Sequence, residues 1–523
     1  MNNKKEYERE ELHKAIWNIA NELRGSIDGW DFKQYVLGFL FYRFISENLE
    51  NYINKGEHDS GNLEFDYSKL SDDKAEFGRK ETLEEKGFYI LPSDLFCNVR
   101  AKAKDNKDLN VTLKNVFENI EASAKGTDSE DDMKGLFDEL DVNSNKLGNT
   151  VIEKNNKLLK ILNKIGELNL GDYKDNTIDA FGDAYEYLMN MYASNAGKSG
   201  GEFFTPQEVG ELLAKITLMD KTSINKVYDP CCGSGGLLLK YAKILGKENV
   251  KDGFYGQEIN LTTYNLCRIN MFLHDINYNK FNIARGNTLT EPKHWNDEPF
   301  DVIVSNPPYS IKWDGKSNPL LINDERYAPA GVLAPESKAD LAFTMHMLSW
   351  LSEKGTAAIV EFPGVLYRSG AEGKIRKYLI DNNFVDTVIQ LPSDLFFGTS
   401  IATCILVLKK NKKDNNILFV DASEECVRNT NKNKLSDQNI NNILELLKNR
   451  VSVENKAVLT SYDEIKENDY NISVNSYLKQ ISYEKEIDIK ELNESIRNIV
   501  IKQQQTREEL DKIISELEAD NYE

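Results

Sequence analysis

Cysteine, histidine and long apolar runs are all scarce in this chain of 523 residues. The cysteines show no C-x-x-C spacing, which excludes a dense disulfide scaffold and favours a reducing, cytoplasmic location. The five histidines show no metal-ligand spacing, so we expect no metal site. Apolar stretches such as residues 401–408 are too short to cross a bilayer, and the charged first ten residues lack a secretory signal, so we expect no membrane association.

Positive charge is also in deficit. The chain has 65 Lys and Arg against 85 Asp and Glu, which gives a formal net charge of −20. A protein that binds nucleic acid tightly by itself needs a surplus of Lys and Arg to neutralise phosphates. If this chain acts on DNA or RNA, we therefore expect a partner to supply most of the binding.

The pattern of apolar and charged residues changes twice along the chain. Residues 1–165 have helical apolar spacing and charged loops, which predicts a helical N-terminal domain. Residues 166–425 alternate short β-type runs with helical stretches, and this predicts a largely parallel, doubly wound α/β sheet. The runs are residues 227–229, 254–259, 281–284, 300–304, 356–360, 385–389 and 402–407. Residues 426–523 form a third region ending in a heptad helix at about 485–519, similar to a coiled coil.

A glycine-rich turn follows the first predicted strand, within residues 227–239. Gly233 and Gly235 permit a sharp turn and a close approach of the backbone to a ligand. Asp229 at the strand end could hold a cationic amine, and Glu258 ends the next strand, where ribose hydroxyls are usually bound. The spacing matches neither a dinucleotide fingerprint nor a P-loop. A plain tight turn remains the alternative.

A second motif, Asn-Pro-Pro-Tyr at 306–309, ends a later strand. Prolines lack the N–H that strand pairing needs, so the motif is predicted to lie at the carboxyl edge of the sheet. Asn306 and the carbonyl of Pro307 are hydrogen-bond acceptors, and Tyr309 offers a flat ring, a set that suits a planar exocyclic amine. The alternative is simply a proline-terminated strand with a packed tyrosine.

A third motif, Gly-Glu-Phe-Phe-Thr-Pro-Gln-Glu at 201–208, precedes the first strand. Thr205 and Glu208 have capping-box spacing and Pro206 suits the first helical position, so the motif predicts a helix start. Phe203 and Phe204 could in addition pack on a bound cofactor.

The order of these motifs resembles the S-adenosylmethionine-dependent methyltransferases that modify adenine N6 in DNA. More narrowly, nearly the whole chain resembles the modification subunit of type I restriction-modification systems, including the strings at 16–25, 39–45, 370–376 and 388–398. The resemblance implies a Rossmann-like methyltransferase fold, S-adenosylmethionine as cofactor, and catalysis by Asn306, Pro307, Pro308 and Tyr309. It implies a cofactor pocket lined by Glu202, Phe203, Phe204, Thr205, Pro206, Gln207, Ser234, Gly235, Gly236 and Glu258. Asn287 stands where the family usually has Asp and is a less certain member.

The resemblance also implies the assembly: DNA reached through a complex with a specificity subunit, a second copy of this chain, and restriction subunits that carry motor and nuclease. Two alternatives stay open. One is a protein-glutamine or RNA methyltransferase, because these share Asn-Pro-Pro-Tyr. The other is an assembly scaffold without turnover.

Overall fold

A computed structural model of the chain describes residues 10–19, 29–170, 181–182, 184–188, 205–219, 221–396, 400–429, 432–478 and 489–519. The chain divides into two compact units, Met1–Leu478 and Lys479–Glu523. Among the described helices, none is long and apolar enough to cross a membrane.

The N-terminal part of the first unit is helical, as predicted. Residues 10–19 are helical, and seven labelled helices follow: α1 (Gly29–Asp59), α2 (Asp72–Ala75), α3 (Arg79–Lys86), α4 (Phe96–Lys102), α5 (Leu109–Ser123), α6 (Glu130–Met133) and α7 (Val151–Glu167). A capping box between Thr150 and Glu153 starts α7. Its buried residues, Leu158, Ile161, Leu162 and Ile165, recur at helical spacing and form one apolar face.

A nine-stranded sheet forms the centre of the first unit. Its order is β11-β8-β6-β7-β5-β4-β1-β2-β3. The strands are β1 (Ile224–Asp229), β2 (Val250–Glu258), β3 (Phe281–Arg285), β4 (Phe300–Ser305), β5 (Leu351–Glu361), β6 (Val385–Gln390), β7 (Cys404–Leu408), β8 (Ile417–Asp421) and β11 (Ala457–Thr460), while β9 (Val427–Asn429) and β10 (Lys432–Lys434) form a separate hairpin. All seven β-type runs of the sequence are strands here, which confirms the predicted α/β fold.

The sheet is mixed rather than parallel throughout. Strands β1 to β5 pair in parallel, but β7 is antiparallel to both β5 and β6. Parallel neighbours need a long crossover connection, usually a helix, and the described residues between β6 and β7 contain none. At one edge of the sheet, β11 also pairs antiparallel with its neighbour β8.

Helices cover both faces of the sheet. They are α8 (Gln207–Leu218), α9 (Gly236–Leu245), α10 (Leu261–Leu273), α11 (Asp340–Trp350), α12 (Ala371–Asp381), α13 (Asp437–Asn449) and α14 (Tyr462–Glu467). Successive strand residues point to opposite faces, and β1 shows this: Val227 enters one hydrophobic core and Tyr228 the other. The N-terminal helices pack on α10, where Arg268 donates to the carbonyls of Asp131, Asp132 and Lys134.

The second unit contains the predicted terminal helix, α15 (Ile489–Ala519). Seam positions Ile496, Ile499 and Leu510 are about half exposed or more, at 49%, 66% and 55%. The domain boundaries at 165 and 425 stay predictions.

Candidate active site

A cavity of about 240 Å³ opens at the carboxyl ends of β1, β2 and β4. In open α/β sheets this is the edge at which ligands bind. Parallel pairing of β1 with β4 sets Tyr228 opposite Ile303, so the residues that follow both strands emerge side by side. Predicted site residues that line the cavity are Thr205, Gln207, Asp229, Gly233, Ser234, Gly236, Glu258, Asn287, Asn306 and Pro308.

The other predicted residues have different positions. Gly235, Pro206, Pro307 and Tyr309 lie in the same segments but are not among the cavity's described lining residues. Glu202, Phe203 and Phe204 fall outside the residues that the structure describes.

The turn after β1 depends on left-handed glycines. Gly233 has φ 53° and Gly235 has φ 82°, and the N–H of Gly235 donates to the carbonyl of Cys232 at 2.8 Å. A Cβ atom at Gly235 would lie 2.8 Å from Sγ of Cys267 on α10. Gly235 therefore faces α10, and it shapes the cavity by allowing the turn to pack closely against that helix.

Glu258 ties this turn to the end of β2. Its Oε2 accepts from the N–H of Gly233 at 3.1 Å, and its Oε1 accepts from the N–H of Asn260 at 2.8 Å. Burial raises the pKa of this carboxyl, while the backbone donors oppose that rise. Each carboxylate oxygen has a further lone pair, so Glu258 can still accept from ligand hydroxyls.

Asp229 is a buried carboxyl with no cationic partner among the described residues. Its Oδ1 accepts from the hydroxyl of Ser305 at 2.9 Å and from the N–H of Cys231 at 3.0 Å. No ion pair of Asp229 with Lys or Arg occurs in the described part of the chain. Burial raises the pKa of Asp229 to about 7. A ligand ammonium would supply the missing positive charge.

Asn306 is held at both ends of its amide. Its Nδ2 donates to Oγ1 of Thr205 at 3.0 Å, and its Oδ1 accepts from the hydroxyl of Tyr309 at 2.7 Å. One lone pair of Oδ1 remains for another donor. Burial raises the pKa of Tyr309, which keeps the phenol protonated as the donor of this bond.

The predicted capping box at Thr205 is wrong. Helix α8 begins at Gln207 with Pro206 at the N-cap, and no side chain caps it. Burial raises the pKa of the Glu208 carboxyl, which does not cap the helix. The hydroxyl of Thr205 binds Asn306, a contact between residues far apart in sequence that local spacing could not reveal.

Several lining residues were not predicted. Ile311, Lys312 and Trp313 lie two to four residues beyond the Asn-Pro-Pro-Tyr motif and could have been found by extending it. Phe343 on α11 lines the cavity from a helix buried on nearly every side, so no periodicity marks it. Asn287, in contrast, was expected from the family resemblance; it lines the cavity, and its Oδ1 accepts from the N–H of Leu289 at 3.1 Å.

Arg326 joins the loop after the motif to the loop after β3. Its fully buried guanidinium donates to the carbonyls of Thr288 at 2.7 Å and Leu289 at 2.8 Å. Asp324 pairs with it at 2.7 Å. The two loops that bound one side of the cavity are therefore fixed to each other.

Comparison with known proteins identifies the family of this chain. Residues 176–486 match the N-6 DNA methylase family, and residues 12–165 match the HsdM N-terminal domain. The type I restriction enzyme MpnII methylase subunit of Mycoplasma pneumoniae is 49% identical over 99% of this chain and 98% of its own length. The chain belongs to this family of type I restriction enzyme methylase subunits. The methylase subunit is also 24% identical to the MjaIX methylase subunit of Methanocaldococcus jannaschii over 97% of this chain and 91% of that protein.

Two solved structures of related subunits are similar to this structure. The methyltransferase subunit of a type I restriction-modification system from Streptococcus thermophilus is 32% identical, with a TM-score of 0.81 over 90% of this methylase subunit and 99% of that chain. A modification subunit of a putative type I restriction enzyme from Vibrio vulnificus, at 19% identity and a TM-score of 0.57 over 88% and 93%, shows the same fold.

Proposed function

We propose that this methylase subunit transfers a methyl group from S-adenosylmethionine to N6 of an adenine flipped out of DNA. The observation that carries the proposal is the amide of Asn306, held rigidly beside the cavity with an acceptor lone pair still available. An exocyclic amine donates to such an acceptor.

The cavity fits the proposed cofactor chemically. S-adenosylmethionine carries an ammonium, a ribose diol and an adenine, and it supplies an electrophilic methyl group on its sulfonium. The uncompensated carboxyl of Asp229 would bind the ammonium, and the spare lone pairs of Glu258 would bind the ribose. Gln207 supports the assignment, because its buried Oε1 has no partner among the described residues and belongs to a cavity-lining side chain.

The chain's own groups would prepare the target nitrogen. Adenine N6 lies inside the base stack of a duplex, so the base has to leave the stack, and the ring of Tyr309 would receive it. Oδ1 of Asn306 and the carbonyl of Pro307 would accept from the amine. Two acceptors favour a pyramidal nitrogen with its lone pair directed at the methyl donor, and alignment of this kind is what the reaction requires.

The net negative charge of the chain supports the proposal that another subunit binds the DNA while this one transfers the methyl group. With a net charge of −20, the subunit would depend on a specificity subunit for DNA affinity and sequence choice. The half-exposed apolar seam of α15 would dock on helices of that partner. The full assembly would add a second copy of this subunit and, for cleavage, restriction subunits.

The test is methyl transfer by the subunit co-expressed with its candidate specificity subunit. We expect labelled methyl groups on adenine N6 of duplex DNA, mapped to one site, and a loss of at least about a hundredfold in Asn306→Ala with unchanged cofactor affinity. Asn282→Ala, an exposed amide on β3, is the matched control and should keep the wild-type rate. Methylation of a protein glutamine or of RNA instead of DNA, or near-wild-type turnover in Asn306→Ala, would refute the proposal.

A further inference from the structure

The hydroxyl of Thr205 has a single described partner, the side-chain amide of Asn306 at 3.0 Å. Thr205 precedes α8, whereas Asn306 follows β4, so the bond joins two segments that are distant in sequence. Both residues line the same cavity. The segment assigned to the cofactor thus touches the amide assigned to the target base.

An asparagine amide needs such support. The torsion that turns the amide plane is soft, so an unsupported amide samples many orientations. Only orientations that direct a lone pair of Oδ1 at the incoming amine would assist the transfer. A hydrogen bond at Nδ2 and another at Oδ1 restrict that torsion from both ends.

Within the described part of the chain, the Thr205 hydroxyl has no hydrogen bond other than the one to Asn306. Pro206 is the N-cap of α8, and no side chain caps the helix. The hydroxyl is therefore not needed to begin the helix.

We propose that Thr205 is a positioning residue for the amide of Asn306. It accepts from Nδ2 of the amide, while the Tyr309 hydroxyl donates to Oδ1. The inference rests on the proposed function and goes beyond it, because it gives Thr205 a role in the transfer step that is separate from cofactor binding.

The experiment compares Thr205→Val with Thr205→Ser in the complex with the specificity subunit. Valine keeps the shape and removes the hydroxyl, and serine keeps the hydroxyl and removes the methyl group. We expect the single-turnover rate at saturating cofactor and DNA to fall about three- to tenfold in Thr205→Val, as loss of one such hydrogen bond implies. Thr205→Ser should restore most of the rate. Cofactor affinity, measured by calorimetry, and melting temperature should change little in either variant.

Three results would overturn the inference: an unchanged rate in Thr205→Val, an equal loss in both variants, or a change confined to cofactor affinity. Single-turnover conditions exclude product release as the limiting step. Asn306→Ala, measured in parallel, distinguishes failure of the positioning role from failure of the proposed function. If it is inactive while Thr205→Val is fully active, only the positioning role fails; if it is active, the proposed function itself fails.

Discussion

The two halves of the site are built on different chemistry. After β1 and β2, the half that we propose binds the cofactor (the cofactor half) relies on buried carboxyls, Asp229 and Glu258, whose pKa values are raised by burial. After β4, the half that we propose receives the target base (the target half) relies on the neutral amide of Asn306, held by hydroxyl groups. The carboxyls of the cofactor half can pair with a positive charge, and their own charge changes with pH. The Asn306 amide of the target half does not ionise, so its hydrogen bonds should persist over a wide pH range.

Because of this contrast, the two halves should respond to different kinds of substitution. Charge and backbone conformation should control whether the cofactor binds, whereas hydrogen-bond geometry should control how fast the methyl group moves. Buried charges have larger energetic effects than single neutral hydrogen bonds, so loss of a carboxylate in the cofactor half should have a larger effect than loss of one hydroxyl that supports Asn306.

The largest effect is expected for Gly235→Leu. Leucine would be strained at φ 82° and would collide with Cys267, so the turn should move away from α10 and cofactor binding should be lost. Calorimetry and thermal unfolding measure the two losses, and stability should fall by about 2 kcal/mol or more. Gly331→Leu is the matched control, because Gly331 has φ 65° but nothing within 4 Å of a Cβ atom. Unchanged cofactor affinity in Gly235→Leu would count against the pocket.

The next effect is expected for Asp229→Asn. Without the carboxylate, affinity for S-adenosylmethionine should fall about ten- to a hundredfold, the range for a hydrogen bond to a charged group. The ligand-free subunit should become more stable by roughly 1–3 kcal/mol at pH 8, because the buried charge is gone. Asp252→Asn, an exposed change on β2, should alter neither quantity. A variant that binds the cofactor like the wild type would show that Asp229 does not hold the ammonium.

The third effect concerns pH. Because the folded-state pKa of Asp229 is about 7, above its ordinary 3.8, its contribution to ligand-free stability is full below about pH 4 and is lost as pH rises through 7. Cofactor affinity should run the other way and fall about five- to tenfold from pH 7.5 to 6, since the ammonium stays protonated over that range. The single-turnover rate at saturating cofactor should change much less. Equal pH dependence of affinity and rate would remove the contrast between the two halves.

The smallest effect is expected for Tyr309→Phe. The ring needed for stacking remains, and only the hydrogen bond to Oδ1 of Asn306 disappears, so several-fold slower transfer is expected rather than inactivity. In a double-mutant cycle with Thr205→Val the losses should not add, because both bonds restrain one amide. Complete inactivity of Tyr309→Phe alone would show that the hydroxyl does more than position the amide.

Sequence reasoning succeeded where the signal is local. Each β-type run was found because a buried strand is a short, contiguous apolar segment. The motifs at 227–239 and 306–309 could be placed at the carboxyl edge because glycines and prolines limit where strands end. These local rules placed Asp229, Gly233, Glu258 and Asn306, which line the cavity, whereas Gln207, Ser234, Gly236 and Asn287 were expected only from the family resemblance.

It failed where partners are distant in sequence. Strand β11 pairs with β8 across an intervening hairpin and helix, and nothing in residues 457–460 indicates that pairing. The spacing of Thr205 and Glu208 satisfied a local rule, but no side chain caps α8, and the Thr205 hydroxyl binds Asn306 instead. Phe343 faces the cavity from a helix whose apolar residues surround it, so its side chain could not be told from core.

Arg326 grips the loop after β3 through main-chain carbonyls rather than through side chains. Every residue type offers the same carbonyl, so the attachment makes no demand on the identity of positions 288 and 289. What constrains these two buried residues is their own side chains: the Thr288 hydroxyl donates to the carbonyl of Pro230 at 2.6 Å, and Leu289 packs in the hydrophobic core. The loop is therefore anchored twice, once by the arginine through its main chain and once by the side chains of the loop itself.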